Sequence, residues 1–292
     1  MLAILPQLLY TGVGIGAVYA IASLGFVLLI RAADVVNFAQ GQFSMLGAYI
    51  MLVLLVGVGV PYWAAFLLAV VLMAGFGVLF AGAVYWPLRH RSQLTVIIST
   101  IGASILLPNA VLAIYGPSPA TVPGLFASQG FRLGSVFVDS QYLSIIVIAI
   151  LMVVLQYVVF EKTLLGKKLQ ATSQDKEMAA MLGISVAGMV LFTFAYSAAL
   201  GALAGVLVAP VLFVSVGMGA TLALKAFAAN IIGGYGSIPG AILGGLIIGL
   251  AETLGAAYIS TPYKDAFGFV ILLIVLLARP RGLFGELIAE KA

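Results

Sequence analysis

The stretch from Leu8 to Ile30 contains no charged residue and is apolar almost throughout. As an α-helix it is long enough to cross the hydrocarbon core of a bilayer. It is too long for the apolar region of a signal peptide, so we expect it to be retained as the first membrane span. Runs of roughly twenty apolar residues recur along the chain, whereas a membrane β-barrel alternates apolar and polar residues in strands of about ten. The sequence therefore predicts an all-α, polytopic membrane protein.

The composition excludes a soluble domain and several kinds of functional site. Hydrophobic residues make up 64% of the 292 residues and charged residues only 8%, against about a quarter in soluble proteins. Because the chain has no cysteine and a single histidine, His90 between two arginines, we expect no metal site and no cofactor. The sequence contains neither a P-loop motif nor a catalytic constellation, so we expect that the chain is not an enzyme.

The apolar runs and the charges between them predict the arrangement in the membrane. We count eight or nine transmembrane or re-entrant helices in a single domain over residues 1–292. Basic residues concentrate around position 90, in the charged segment 161–185 and around position 280, which the positive-inside rule assigns to the cytoplasm. The Pro-, Gly- and Ser-rich loop 116–140 is then external, as is the N-terminus. The net charge of +4 predicts contact with anionic lipid of the bilayer, not with nucleic acid.

Two local patterns predict how individual spans end and pack. Aromatic pairs at residues 62–63 and 85–86 frame the third span and suit the two interfaces of a bilayer. In the first span, Gly12 and Gly16 form a G-x3-G pattern, which allows close contact with another helix.

A polar, glycine-rich motif occurs twice. Residues Asn37–Ala48 (NFAQGQFSMLGA) and Asn230–Ala241 (NIIGGYGSIPGA) both fit N-x3-G-x2-S-x2-G-A. Steps of three and four residues place the shared positions on one face of a helix. One copy in each half of the chain is typical of a transporter with two pseudo-repeated halves that meet around the substrate path. A chance match in a chain rich in glycine and alanine is the alternative.

Hydrogen-bonding side chains and glycines in these copies are candidates for the substrate path. An unpaired polar group in hydrocarbon costs several kcal/mol, so these side chains should face protein or a water-filled path. The alternative is that they hold helices together, with the small residues as a packing seam. Together with one carboxylate nearer the C-terminus, the candidates are Asn37, Gln40, Gly41, Gln42, Ser44, Asn230, Gly234, Ser237 and Glu252.

Both copies also interrupt apolar runs. The first predicts a broken or re-entrant helix that continues to about Val60. The second, from Gly233 to Pro239, predicts a discontinuous helix, because Ser237 can cap a new helix and Pro239 is tolerated in its first turn. The free N–H groups of such a helix start would suit a substrate carboxylate. A tight loop between two ordinary spans is the alternative.

Lys225 and Glu252 are the ionisable residues that lie deepest in apolar sequence. They could contact an ion or the substrate. They could equally pair with each other, or Lys225 could reach an interface along its aliphatic stem.

The segment 161–185 contains a short amphipathic stretch in which Met178, Met181, Leu182 and Ile184 are apolar among charged residues. It is either a solvated loop helix or a docking helix whose apolar side enters a groove of a cytoplasmic partner.

Several of these segments resemble the permeases of ABC importers for branched-chain amino acids, of the LivH type. The similarity covers about Leu8 to Gly285. It includes VVNFAQGQFSMLGAY at the first motif copy, TIGASILLPNAVLAIYG in the fourth span, a long segment around the second copy, and the closing RPRGLFG. These motifs are specific to the family rather than to its substrate, since relatives that carry urea or short amides look similar.

The resemblance implies a multi-pass subunit of the bacterial inner membrane and a set of partners. These are a homologous permease of the LivM type, two cytoplasmic ATPases of the LivG and LivF type, and a periplasmic amino-acid-binding protein. It also implies that the loop from Lys168 to Ile184 couples the permease to the ATPases. The matching positions, with Gln170 standing where the family usually has arginine, are Lys168, Gln170, Glu177, Ala179, Ala180, Gly183 and Ile184.

We therefore expect a permease subunit that moves leucine, isoleucine or valine inward along a path shared with a second permease. The alternatives are a urea or short-chain amide permease of the same family, an ion-coupled secondary transporter, and a channel or structural subunit. An ion-coupled transporter should carry membrane-embedded carboxylates, of which Glu252 alone qualifies well. A channel has no need of a docking segment.

Overall fold

A computed structural model describes residues 4–33, 35–125, 130–133 and 136–284. Some residues of the sequence predictions lie outside the described residues. They are Asp34 of the connection after the first span, residues 126–129 and 134–135 of the predicted external loop, and Gly285. The described helices are α1 (Leu5–Ala33), α2 (Gln40–Leu52), α3 (Tyr62–Phe80), α4 (Gln93–Tyr115), α5 (Ser140–Tyr157), α6 (Leu164–Gln174), α7 (Lys176–Met181), α8 (Val186–Leu212), α9 (Met218–Gly233), α10 (Ile238–Tyr258) and α11 (Lys264–Ala278). One antiparallel hairpin joins β1 (Gly130–Leu133) and β2 (Val136–Asp139).

Seven of the described helical segments are long and apolar enough to cross a membrane, which confirms the all-α, polytopic prediction. The helix α2, with 13 residues, reaches this length only by continuing into a π-helical turn at Val53–Gly57. Similar turns at Ala81–Tyr85 and Val158–Lys162 extend α3 and α5. One shorter apolar helix, α9 with 16 residues, brings the number to eight among the described residues, the lower end of the predicted eight or nine. The third span begins at Tyr62, as its aromatic pair predicts.

The first span, α1, is the centre of the fold. It is apolar on all sides, which is typical of a helix surrounded by others, and Val18, Ile21, Leu24 and Val27 are fully buried. It packs against α10, α8, α9 and α5. The helices α3, α4 and α5 lie outside this centre and expose many large apolar side chains, which the lipid covers.

Glycines allow α1 and α10 to pack closely. A methyl group on Gly16 would meet the backbone of Leu246, and one on Gly249 would overlap the backbone of Gly16. Gly12 faces the same helix at Leu250. The prediction that the G-x3-G pattern makes a close helix contact is therefore confirmed.

The three basic stretches lie at one end of the molecule, which we call the basic end. Arg31, near the end of α1, donates from Nε to Gly236 O at 2.6 Å, and the tail joins the same region through Leu283 N, which donates to Ile232 O at 2.9 Å. The arginines near position 90 and Lys176 line a common cavity there.

The loop between α4 and α5 lies at the opposite end, which we call the outer end. Tyr10 in the second turn of α1 donates to Asp139 O at 2.6 Å, and Gly130 pairs with the same Asp139 across the hairpin. Ala120 and Val214 form an antiparallel bridge that joins this loop to the chain just after α8.

The motif copies do not form the continuous helical faces that their spacing predicts. Asn37 precedes α2, because its Oδ1 accepts from Ala39 N at 3.0 Å and closes a turn before the helix starts. In the second copy α9 ends at Gly233 and α10 starts at Ile238, so Asn230 lies on α9 and the later positions do not. The single-face prediction holds only for the part of the first copy within α2.

Candidate functional site

Gln40, at the start of α2, joins three helices. Its Nε2 donates to Ser197 O at 3.0 Å, and its Oε1 lies 2.7 Å from the hydroxyl of the same Ser197 in α8. That hydroxyl is also 2.8 Å from Gly25 O in α1 and can donate to either acceptor. Because Gly25 lies about 12 Å along α1 from its end at Ala33, the contact of Gln40 with this region places the start of α2 below the basic end.

The small residues of the first copy form a seam with α8 and α9. A methyl group on Gly41 would overlap Gly219 O of α9. On the other side of α2, the carbonyl of Ser44 fills the space that a side chain on Gly205 of α8 would occupy. The geometry of these positions is that of close helix packing, with the backbone carbonyls taking the place of side chains.

Three buried amides of the predicted path keep one atom unpaired among the described residues. Asn37 Nδ2, Gln42 Oε1 and Asn230 Nδ2 have no hydrogen-bond partner there. Asn230 otherwise acts like Asn37, since its Oδ1 accepts from Gly236 N at 3.2 Å and holds a turn. A buried polar atom without a partner costs about 1–3 kcal/mol, so a hydrogen-bond partner would stabilise each of these atoms.

The break in the second copy is the tight loop that we gave as the alternative, and the discontinuous-helix interpretation is wrong. Gly234 and Gly236 have φ of 112° and 79°, conformations that favour glycine, and they reverse the chain at the basic end. The helices α9 and α10 then run antiparallel, with Gly233 against Gly240. The predicted cap is confirmed, because Ser237 Oγ accepts from Gly240 N at 3.2 Å and the proline follows in the first turn.

Lys225 and Glu252 form the mutual pair that the sequence allowed. Lys225 is 5% exposed, and its Nζ lies 2.9 Å from Glu252 Oε2, 2.7 Å from Asp265 Oδ1 and 3.0 Å from Tyr19 OH. Tyr19 also donates to Glu252 Oε2 at 2.8 Å. All three protons of the ammonium thus have acceptors, and Glu252 is fully buried behind it.

Sequence reasoning missed Asp265 and Tyr19 as members of this cluster. A signal existed, because a lysine in an apolar helix needs acceptors, and Asp265 is the other carboxylate between Lys225 and Arg279. Tyr19 carried no such signal, since a tyrosine in an apolar span also suits a bilayer interface.

A cavity of about 380 Å³ opens beside this cluster at the outer end, and we call it the outer recess. The first turns of α9 and α11 form part of its wall. Lys264 and Asp265 lie in the first turn of α11. Tyr19 and Lys225 line its deepest part, and Leu212, the last residue of α8, lines its mouth.

The predicted coupling segment contains two short helices with an exposed apolar patch. Asp175 caps α7, with Oδ1 accepting from Glu177 N at 2.9 Å and from Met178 N at 3.0 Å. Met178, Met181 and Leu182 are 58%, 81% and 77% exposed, so the amphipathic stretch presents its apolar side chains to the surroundings and not to the rest of the chain.

The matching positions within this segment differ in what they contact. Lys168, Glu177, Ala180 and Gly183 are exposed, and Gly183 has a φ of 77°. Ala179 is buried and accepts a hydrogen bond from Ile184 N, so these two shape the segment. Gln170, at the position of the family's usual arginine, donates from Nε2 to Phe160 O at 3.0 Å and holds α6 to the end of the fifth span.

Comparison with known proteins agrees with this architecture. The chain is 32% identical to the high-affinity branched-chain amino acid transport system permease protein LivH of Salmonella typhimurium, over 98% of this chain and 97% of the relative. It is 34% identical to the permease protein BraD of Pseudomonas aeruginosa, with the same coverage. The fold is similar to PsaBC from Streptococcus pneumoniae in complex with Fab, with a TM-score of 0.53, 14% identity, and coverage of 95% of this chain and 92% of that one.

The model of the family described as branched-chain amino acid transport system / permease component matches residues 8–276. That range includes the central helix, the coupling segment, both motif copies and the buried ion cluster. The chain therefore belongs to this family of branched-chain amino acid permease components.

Proposed function

We propose that this chain is a permease subunit of an ABC importer for leucine, isoleucine and valine. The observation that carries the proposal is the similarity to LivH and BraD along almost the whole chain, through helices, loops and coupling segment alike. The buried cluster supports it over an ion-coupled secondary transporter, because the single well-placed membrane carboxylate, Glu252, is bonded to Lys225 and Tyr19.

Energy comes from other subunits in this proposal. The sequence has no P-loop, so ATP is bound by two cytoplasmic ATPases of the LivG and LivF type. The exposed apolar side chains of α7 and the residue after it fit a groove on such a partner, with Lys168 and Glu177 as polar contacts beside them. A homologous LivM-type permease and a periplasmic amino-acid-binding protein complete the assembly.

The basic end faces the cytoplasm and the outer end the periplasm, in the inner membrane of a bacterium. Support comes from the positive-inside rule, since the three basic stretches lie together at one end. The segment 161–185 is then the cytoplasmic coupling loop and the loop 116–140 the external one.

Within the path, we assign different roles to the candidate residues. Asn37, Gln42 and Asn230 each keep an unpaired amide atom and are placed to bond with substrate or water when helices separate. Gln40, Gly41 and Ser44 hold α2 against α8 and α9, and Gly234 and Ser237 hold the α9–α10 loop. Glu252 acts through Lys225.

Transport by the reconstituted assembly tests the proposal. The chain would be placed in liposomes with its partner permease, ATPases and binding protein, and entry of labelled leucine would be measured with and without ATP. We expect ATP-dependent leucine uptake. Uptake of urea or an amide in place of leucine would overturn the substrate, and uptake driven by an ion gradient without ATP would overturn the transporter class.

The same assay tests the coupling segment. In Glu177→Lys and Gly183→Trp, which change exposed positions, we expect the assembly to insert normally but to lose most ATP-driven uptake, because the ATPase contact is altered. Uptake at the wild-type rate in both variants would contradict a docking role for the segment.

A further inference from the structure

The outer recess extends inward to the central residue of α1. Tyr19, which lines its floor, is the central residue of α1 and therefore lies about 21 Å from either end of that helix. Leu212 lines its mouth, two residues before Val214, which pairs with the outer loop. The first turns of α9 and α11 border the recess, and Asp265 and Ala266 in the first turn of α11 are exposed.

The recess combines opposite charges with an apolar wall. Lys264 and Asp265 lie side by side at the start of α11. Lys264 forms no ion pair with a described residue, and 68% of the side chain of Asp265 is exposed although its Oδ1 accepts from Lys225. Leu212 and Leu222 supply apolar surface opposite. Such an arrangement fits a molecule that carries a cation, an anion and an apolar group close together.

We propose that the outer recess is a binding site for a zwitterionic amino acid with an apolar side chain, occupied as the substrate enters the permease from the outer end. The α-ammonium group bonds to the carboxylate of Asp265 and the α-carboxylate bonds to Lys264. The side chain lies against Leu212 and Leu222. The inference rests on the proposed function, because it identifies the recess as a stage of that transport.

Lys225 and Glu252 position Asp265 in this site. The ammonium of Lys225 lies between the two carboxylates, 2.9 Å from one and 2.7 Å from the other, and Tyr19 holds the buried one. With Lys264 beside Asp265, two lysines balance two carboxylates, so a zwitterion enters the site without changing its net charge. Lys225 keeps Glu252 as its partner when the substrate ammonium bonds to Asp265.

The absence of cysteine makes the recess directly measurable. Thr221 lines it on α9 and is exposed, so Thr221→Cys puts one reactive thiol inside the recess. Thr261→Cys, at an exposed turn of the same end outside the recess, is the matched control. Both would be made in the assembled transporter in nanodiscs without ATP, and the rate of reaction with a small methanethiosulfonate reagent would be measured.

We expect leucine at roughly ten times its dissociation constant to slow labelling of Thr221→Cys about tenfold and to leave Thr261→Cys unchanged, because the labelling rate follows the unoccupied fraction. Leucinamide, which lacks the carboxylate, and 4-methylpentanoate, which lacks the ammonium, should protect far less. Protection by leucine should be lost in Asp265→Asn and restored in Asp265→Glu, while both variants still bind their partner subunits.

Three results would overturn the inference. They are a thiol at position 221 that does not react, no protection by leucine at any concentration while ATP-driven leucine uptake is intact, and equal protection by leucine and 4-methylpentanoate. The second leaves the proposed function standing and removes only the recess. Failure of the wild-type assembly to take up leucine would instead reject the proposed function.

Discussion

Lys225 shows how a single residue in a membrane chain restricts its neighbours. An ammonium ion in the interior of a helical bundle is stable only with acceptors around it, and here two carboxylates and a phenol provide them. Since Glu252 is fully buried, its negative charge depends on Lys225 in return. The pair could be predicted from the sequence, because each residue is the deepest ionisable group of its helix, but the contribution of Tyr19 could not.

Removing one member of this cluster should cost more than removing two. In Lys225→Met the buried carboxylate of Glu252 loses its partner, and we expect the free energy of unfolding to fall by about 3–5 kcal/mol. The double variant with Glu252→Met should recover most of this loss, because neither charge then remains in the interior. Unfolding of the detergent-solubilised chain followed by circular dichroism is the measurement.

A matched control uses the neighbouring lysine. Lys264→Met removes a lysine of the same recess that makes no ion pair with a described residue, so it should leave the unfolding free energy nearly unchanged. Equal destabilisation by the two methionine variants would contradict the ion-pair explanation for Lys225.

At the scale of elements, small residues determine which helices touch. Gly16 and Gly249 bring α1 and α10 to backbone contact, and Gly41 and Gly205 do the same for α2 with α9 and α8. Lipid tails are as apolar as leucine, so packing of this kind, not the burial of apolar area from water, holds neighbouring spans together. The glycine patterns could be read in the sequence, whereas the partner of each pattern could not.

A larger side chain in the α1–α10 seam should separate the two helices. In Gly249→Val the new side chain would overlap the backbone of Gly16, and we expect a loss of about 1–3 kcal/mol in stability. Gly102→Ala in α4 is the control, because its added methyl group meets nothing within 4 Å. That variant should be neutral, or stabilising by up to about 1 kcal/mol, since alanine favours a helix. Thermal unfolding in detergent measures both, and a neutral Gly249→Val would rule out the close seam.

At the scale of the whole molecule, the two ends differ in their basic residues. Three basic stretches come together at one end although they are far apart in the chain. They lie around position 90, in the coupling segment and around position 280. The recess and the hairpin lie at the other end. An importer needs this difference, because the substrate arrives at one end and the ATPases bind at the other.

The orientation can be checked with single cysteines in intact cells. We expect a membrane-impermeant thiol reagent to label Ser118→Cys and Thr261→Cys at the outer end and to leave His90→Cys and Gln174→Cys unlabelled until the membrane is opened. The reverse pattern for all four would show the opposite orientation. A mixed pattern within one end would contradict the grouping of the loops itself.

The sequence by itself determined the properties that depend on local composition. Long apolar runs require helices across a bilayer, basic loops group at one end, and Ser237 with Pro239 starts a helix at the predicted place. The amphipathic residues of the coupling segment could be found in the same way, because their exposure follows from a short helix with charged neighbours.

Only the tertiary structure decided what depends on contacts between distant segments. The repeated motif predicts one helical face, but Asn37 bonds within its own turn and two glycines with positive φ divide the second copy. The recess likewise exists because residues of α1, α8, α9 and α11 come together beside Tyr19, and no short stretch of sequence encodes that arrangement. The physical reason is that hydropathy and capping act over a few residues, whereas packing seams, buried ion pairs and cavities join residues that are far apart in the chain.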